Sequence, residues 1–270
     1  MSEYNSGTKN LPSLKLSSTV PITPTPPSNE PTIPILQPTQ KEKLEQKTNP
    51  IQYYVKASFM ITYILLLTTA TITFIEAMRT NVPEIRHILN LETCISIVAG
   101  YFYSVFLAQI EGYSKEGKEV NWSDITKTRY IDWSITTPMM LLVLCIVLGT
   151  HTKQKITLSV ITSILVLNYI MLYIGYLGET AVLERFTACI LGFIPFIIMF
   201  LIIFMNFVKQ KYIFSNYALY FFFLITWAMY GIVYLVPQTY KNIVMNILDC
   251  IAKCLVGLGL WAYYSKTIVL

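Results

Sequence analysis

The sequence predicts an all-α fold, a bundle of seven membrane-crossing helices behind a disordered N-terminal tail. Three observations predict it. The 270 residues are 54% hydrophobic and only 13% charged, against about 25% charged in soluble domains. Seven apolar runs, approximately 55–77, 90–110, 130–149, 156–177, 186–207, 213–235 and 243–263, each approach the ~20 residues that span a hydrocarbon core. Most Lys and Arg fall between those runs, as expected of connectors in water. Lipid offers the backbone no hydrogen-bonding partner, so the runs must be helices; a barrel needs shorter, alternating segments. The chain divides into a tail over 1–50 and a membrane domain over 51–270.

The tail holds nine of the thirteen prolines, with many Ser, Thr, Asn and Gln. Such a composition cannot bury enough surface to offset its ordering entropy. It has no charged start, apolar middle and small-residue cleavage site, which leaves insertion to the first helix. A passive tail is the simpler reading, a tethering role the alternative. The first helix carries Ser58, assigned to the inner half. The second carries Glu92 near its start and Tyr103. The third opens on Arg129 and Asp132, the fourth holds Met171 and Gly175, and the fifth Cys189 and Gly192. Trp227, Tyr230 and Gly231 lie on the sixth, Asp249 and Lys253 on the seventh.

Short loops set the orientation. Arg79, Arg86, Lys153, Lys155, Lys209, Lys211 and Lys266 gather on one side. Lys115, Lys118, Lys127 and Lys241 lie on the other, diluted by Glu111, Glu116, Glu119 and Asp124. The richer side is read as cytoplasmic, with the N-terminus outside and the C-terminus inside. The sequon Asn121-Trp122-Ser123 then falls in an outer loop, though sequons are frequent by chance. The net charge of +5 is accordingly topology, and nucleic acid is excluded as a partner. His87 and His151 are the only histidines and both read as connector residues, while Cys94, Cys145, Cys189, Cys250 and Cys254 have no ligand spacing and read as small hydrophobes. No metal site is expected.

Ionisable groups at bilayer depth cost ~2.5–3.5 kcal/mol each on insertion scales, so each needs a partner. The chain has three aspartates, and Asp132 and Asp249 belong to the apolar runs, with Lys253. Asp249 and Lys253, spaced i, i+4, share a helix face and can pair. Arg129, Asp132 and Thr136 line one stripe of the third helix, Trp133 and Thr137 the next. A structural ion pair is one account of this grouping. The other is chemical: a desolvated lysine is a good nucleophile toward an aldehyde. A protonated imine formed there needs a counterion, worth about 4 kcal/mol at ~4 Å and an effective dielectric of ~20. Arg129 balances the second carboxylate.

Three strings carry a resemblance. Arg129-Tyr130-Ile131-Asp132-Trp133-Ser134-Ile135-Thr136-Thr137-Pro138 resembles the third-helix signature of microbial rhodopsins of the bacteriorhodopsin type. Leu248-Asp249-Cys250-Ile251-Ala252-Lys253 resembles their retinal-lysine motif, and Trp227-Ala228-Met229-Tyr230 their sixth-helix pair. Tyr103, Met140, Met171 and Gly175 match more weakly, and the likeness spans 55–265. It implies an integral, multi-pass membrane photoreceptor, not an enzyme, with retinal held covalently as a protonated Schiff base on Lys253. Asp132 would be the primary counterion and proton acceptor, Asp249 the second counterion and Arg129 the outer gate. Trp133, Thr137, Met140, Met171, Gly175, Trp227, Tyr230 and Tyr103 would surround the chromophore. Implied partners are the bilayer and a transported proton or cation, with a homo-oligomer left open.

The sequence also departs from that pattern. Val143 stands eleven residues after Asp132, where proton pumps of the family usually carry the carboxylate donor. Glu92 is the candidate substitute; the alternative is a glutamate snorkelling to the interface. Val236-Pro237-Gln238-Thr239-Tyr240-Lys241 lacks the glutamate pair that releases protons early. Cys189 and Gly192 replace bulkier residues, and Gly231 follows Tyr230 where a kinking proline is common, both expected to loosen the pocket. An outward proton pump is the first expectation and a light-gated cation channel the second, with a sensory photoreceptor behind them. The same mixture resembles rhodopsins of large algal viruses, which include both transport behaviours. Chloride pumping conflicts with Asp132, and the sodium-pump pattern is absent.

Overall fold

Seven stretches are long and apolar enough to cross a membrane, and all are helical. The computed structural model describes residues 50–154 and 156–267, so the expected tail, save Pro50, and Lys155 lie outside the described residues. The helices are α1 (Pro50–Arg79), α2 (Pro83–Lys115), α3 (Trp122–Thr152), α4 (Leu158–Glu179), α5 (Arg185–Ile203, continued by a π-helical stretch over Phe204–Val208) and α6 (Phe214–Val233). The seventh, α7, runs as α-helix over Gln238–Asp249, as π-helix over Cys250–Leu255 and as α-helix again over Val256–Tyr264. There is no strand among the described residues.

Several helices overrun their apolar runs. α2 starts at Pro83, a residue pre-set for a first helical turn. α3 starts behind Asn121, whose Oδ1 accepts from the Ser123 backbone N–H at 3.1 Å and so caps it. Hydropathy reads only the hydrocarbon-depth part of a helix, and these ends continue beyond the apolar runs. Two sequence expectations are corrected here. His87 and His151 sit on α2 and α3, and His151 Nδ1 lies 2.6 Å from Asn216 Oδ1 of α6. Lys241 is likewise no loop residue: α7 has already begun at Gln238, and its side chain is 3% exposed.

The polar side chains of the membrane helices turn inward, among a buried apolar core, while large apolar side chains also cover the outer face. Asp132, Thr136, Asn168, Asn216, Asn246 and Asp249 are fully buried, while Ile61, Ile64, Phe74, Ile197 and Ile225 face outward. This is the distribution lipid imposes, since an unsatisfied polar group in hydrocarbon is the costly arrangement. α3 lies at the centre, against α2, α4, the π end of α5, α6 and α7, and α7 closes the ring against α1. The third- and seventh-helix stripes therefore face each other, with α2 and α6 at their flanks.

Candidate functional site

Lys253 lies in the π-helical stretch of α7, and π turns often mark functional positions. Its Nζ donates to Asp132 Oδ2 at 2.8 Å and stands 3.7 Å from Asp249 Oδ1. All three side chains are at most 2% exposed. The second oxygen of Asp132, Oδ1, is buried without a protein partner. Asp249 is saturated instead: Oδ2 accepts from Tyr103 Oη at 2.6 Å and Arg129 Nη1 at 3.0 Å, and Oδ1 from Tyr230 Oη at 2.7 Å. Arg129 thus pairs directly with Asp249, as the charge balance of the sequence required.

Arg129 is also held by groups that carry no charge. Its Nη2 donates to Asn246 Oδ1 at 2.7 Å, and its guanidinium stands 5.4 Å from the Phe59 ring centre and 5.1 Å from that of Phe106. Asn246 Nδ2 donates to Ser58 Oγ at 2.9 Å. Ser58 therefore belongs to the Arg129 side of Lys253, not to the inner half with Glu92. The reason is direction: α1 and α2 run antiparallel, so an early position on α1 faces a late one on α2. Thr136, one turn from Asp132 on the same stripe, donates to the Asp132 backbone carbonyl at 3.0 Å.

A cavity opens from Lys253 between α3, α4, α5 and α6. It encloses about 840 Å³ of non-atom space, its open mouth included. Trp133, Thr137, Met140, Met171, Gly175, Trp227, Tyr230, Cys189 and Gly192 all line it, and so do Tyr130, Phe193, Phe196, Tyr234 and Met245. Tyr103 does not. Trp133 and Tyr230 meet edge to face at 5.5 Å, an aromatic wall suited to a flat apolar ligand. A Cβ on Gly175 would stand 2.7 Å from Tyr130 Oη, so the glycine admits that ring. Gly231 is similarly filled, because a Cβ there would meet Phe193 at 2.5 Å. The space expected at Gly231 is thus filled, and at Gly192 a Cβ would meet its nearest atom at 3.9 Å, an ordinary contact. An apolar, aromatic and sulfur-walled cavity ending on one buried amine fits retinal.

Asn168 and Asn246 were not anticipated. Asn168 Nδ2 donates to Thr137 Oγ1 at 2.9 Å, tying α4 to α3 beside the cavity. A lone amide inside an apolar run was the available signal for each. On the far side of Lys253, Glu92 is 2% exposed, which rules out the snorkelling alternative. Its Oε2 would lie 3.1 Å from a Cβ on Gly257, one turn beyond Lys253. Val143 is buried at 1% among apolar neighbours.

Fold and site define an integral membrane protein in which a buried lysine of the last helix faces an apolar cavity and two carboxylates. The chain belongs to the bacteriorhodopsin-like protein family, whose model matches residues 54–267. It is a microbial rhodopsin, and membership implies a retinal chromophore. Viral rhodopsin OLPVRII is 41% identical in its crystal structure, with a TM-score of 0.73 over 80% of this chain and all, 100%, of that one. Xanthorhodopsin, described as a light-driven ion pump with dual chromophore, is 19% identical over 81% of this chain and 95% of its own, with a TM-score of 0.65, a likeness of fold alone. A green-light absorbing proteorhodopsin from Gamma-proteobacterium EBAC31A08 is 25% identical over 155 residues, 50% of this chain. The match spans 60% of that proteorhodopsin's length.

Proposed function

We propose that this rhodopsin carries retinal on Lys253 and moves protons outward across its membrane in the light, with Asp132 as counterion and first proton acceptor. The observation that carries this reading is the 2.8 Å contact from Lys253 Nζ to Asp132 Oδ2 beside an unpartnered Oδ1. Bound at Nζ, retinal supplies the light-driven isomerisation that sets the transfer in motion. The charges of Lys253, Arg129, Asp132 and Asp249 sum to zero. When the Nζ proton passes to Asp132, Lys253 and Asp132 both become neutral while Arg129 and Asp249 remain paired. No uncompensated charge is created at bilayer depth, which is the costly event in such a site.

Glu92, buried on the opposite side of Lys253, is the candidate that returns a proton to Nζ in place of the carboxylate absent at Val143. Outward direction follows from placing the Glu92 side in the cytoplasm, where Arg79, Arg86, Lys153 and Lys209 gather. Photocurrent against voltage in retinal-supplied cells tests the whole reading. A current that stays outward at every voltage is expected, and reversal at an ion's equilibrium potential overturns pumping as the main activity.

A second reading, a light-gated cation channel, draws on one observation. Ser58, Thr62, Thr69 and Thr73 of α1 are buried or half-buried along a seam with α2 and α7. There Ser58 meets Asn246, Cys250 meets Thr62, and Thr73 meets Thr93 at 2.8 Å. Such a row of small polar groups is where water enters most cheaply, and the same photocurrent measurement separates the two readings.

A further inference from the structure

Glu92, Ser96, Ala99 and Tyr103 follow i, i+4, i+7 and i+11 along α2 and so line one stripe. Both ends of that stripe are pinned to α7. Glu92 Oε2 would lie 3.1 Å from a Cβ on Gly257, and Tyr103 Oη donates to Asp249 Oδ2 at 2.6 Å. The two helices run in opposite directions, and α2 packs against the π-helical stretch of α7. Ser96 therefore falls between those contacts, at the height of Lys253, which lies midway from Asp249 to Gly257. Ser96 is fully buried, and its Oγ has no hydrogen-bond partner among the described residues. Ser58, Ser104, Ser134 and Ser163 each return the hydroxyl to a carbonyl of their own helix, the usual way a helical serine is satisfied. A buried hydroxyl left unpaired is costly and calls for another task. The other hydroxyls near Glu92 are committed: Thr69 donates to Leu65 O at 2.9 Å, and Thr73 and Thr93 meet at 2.8 Å. One helical turn advances about 6 Å, whereas a hydrogen bond closes at about 3 Å. The gap between a carboxyl level with Gly257 and the Lys253 nitrogen thus needs one intermediate group.

We propose that the Ser96 hydroxyl relays the returning proton from Glu92 to the Lys253 nitrogen. The proposal rests on the proton-pump reading with Glu92 as donor. The Oγ–H bond of Ser96 breaks as an N–H bond forms on Lys253, and the O–H bond of the Glu92 carboxyl breaks as that of Ser96 is remade. One proton moves, Glu92 is left a carboxylate, and nothing is oxidised or reduced. The two transfers are concerted, so no free alkoxide forms, and rotation about the Cβ–Oγ bond resets the relay. A hydroxyl bonded to its own helix would first have to leave its carbonyl; the Ser96 hydroxyl has none to leave.

The test uses the full-length, retinal-loaded protein in vesicles. Visible absorbance after a flash follows the Lys253 nitrogen, and infrared difference spectra follow the Glu92 carboxyl. S96A is expected to transfer the proton from Lys253 to Asp132 at the wild-type rate and to slow its return by about 100-fold, the scale of a positioned acid–base group. Through that delay the Glu92 carboxyl should stay protonated, a signature that a merely structural role would not produce. S96T, which keeps the hydroxyl, should restore the rate, and S96C, close in shape but a weak hydrogen bonder, should not. Should S96A form no pigment, S96C against S96T carries the same comparison. If wild type moves no protons outward, or E92Q recovers at the wild-type rate, the reading beneath falls and this proposal with it. If wild type pumps and E92Q is slow, wild-type recovery in S96A overturns this proposal alone. So does an S96T recovery as slow as that of S96A, which assigns the effect to packing.

Discussion

Lys253 Nζ touches Asp132 at 2.8 Å but Asp249 only at 3.7 Å, so one buried cation is shared by two carboxylates of unequal standing. Asp249 receives Tyr103, Tyr230 and Arg129 as well, and its lone pairs are taken up. Asp132 has one oxygen free. The division of labour proposed for them, a mobile proton on Asp132 and a fixed charge on Asp249, follows from that difference in partners.

Replacing Asp132 by Asn should leave Lys253 with the more distant, already engaged Asp249. The expected result is a pigment shifted to the red that transfers no proton from Nζ, read by visible absorbance and flash-induced pH change. Lys253→Ala should form no visible pigment at all. An Asp132→Asn variant with the native spectrum and native transfer would hand the acceptor role to Asp249.

Arg129 is 2% exposed and its charge is offset by Asp249 alone among the carboxylates within ion-pair distance. Arg129→Ala should therefore destabilise the protein by about 3–5 kcal/mol, the usual cost of orphaning a buried charge. Asn246→Leu, which removes the amide that accepts from Arg129 and donates to Ser58, should cost less, about 1–3 kcal/mol. Chemical denaturation in detergent measures both; wild-type stability in Arg129→Ala would mean that Asp249 finds another partner, and wild-type stability in Asn246→Leu that Arg129 does.

The charged groups of this site were legible in the sequence and its buried amides were not, for a physical reason. Lys253, Asp249 and Asp132 announce themselves because a charge at bilayer depth is expensive, and helical spacing alone puts Asp249 beside Lys253. Asn246 and Asn168 cost less to bury and look like ordinary breaks in an apolar run. Their roles depend on which helix they face. Glu179 was not singled out and Lys241 was read as a loop cation because hydropathy ends where they begin, and only the meeting of α4 with α7 turns two rim residues into a buried pair. The π-helical stretch around Lys253 has no signature in residue type that periodicity could read.

Glu184 lies in the turn between α4 and α5, where it caps α5. The Thr187 hydroxyl, and then the Thr187 and Phe186 backbone N–H groups, hold its carboxyl below the ordinary value. A depressed carboxylate stabilises the fold fully above its unfolded value, about 4.3 for glutamate, and that contribution fades as pH falls through the lower folded value. Wild type should thus lose thermal stability as pH falls below about 4.3 by more than Glu184→Gln does. Because Glu184 is exposed, the difference is small, and identical pH profiles would remove the cap from the account of α5.

Gly257 and Glu92 test the other half of the transport path together. A Cβ at position 257 would stand 2.8 Å from Thr69 Cγ2 and 3.1 Å from Glu92 Oε2, so Gly257→Ala must push α1 or the carboxyl aside. Overpacking of this kind costs about 1–3 kcal/mol. Glu92→Gln keeps the shape and removes only the exchangeable proton. If Glu92 returns the proton to Lys253, Glu92→Gln should slow pigment recovery by about 100-fold, and added azide, a small diffusible acid, should restore it. Gly257→Ala should slow recovery less while lowering stability. If instead the seam between α1, α2 and α7 conducts cations, Glu92→Gln should change ion selectivity and leave recovery nearly untouched. Time-resolved absorbance with photocurrent on the same variants decides, and a variant normal in both would take Glu92 out of either mechanism.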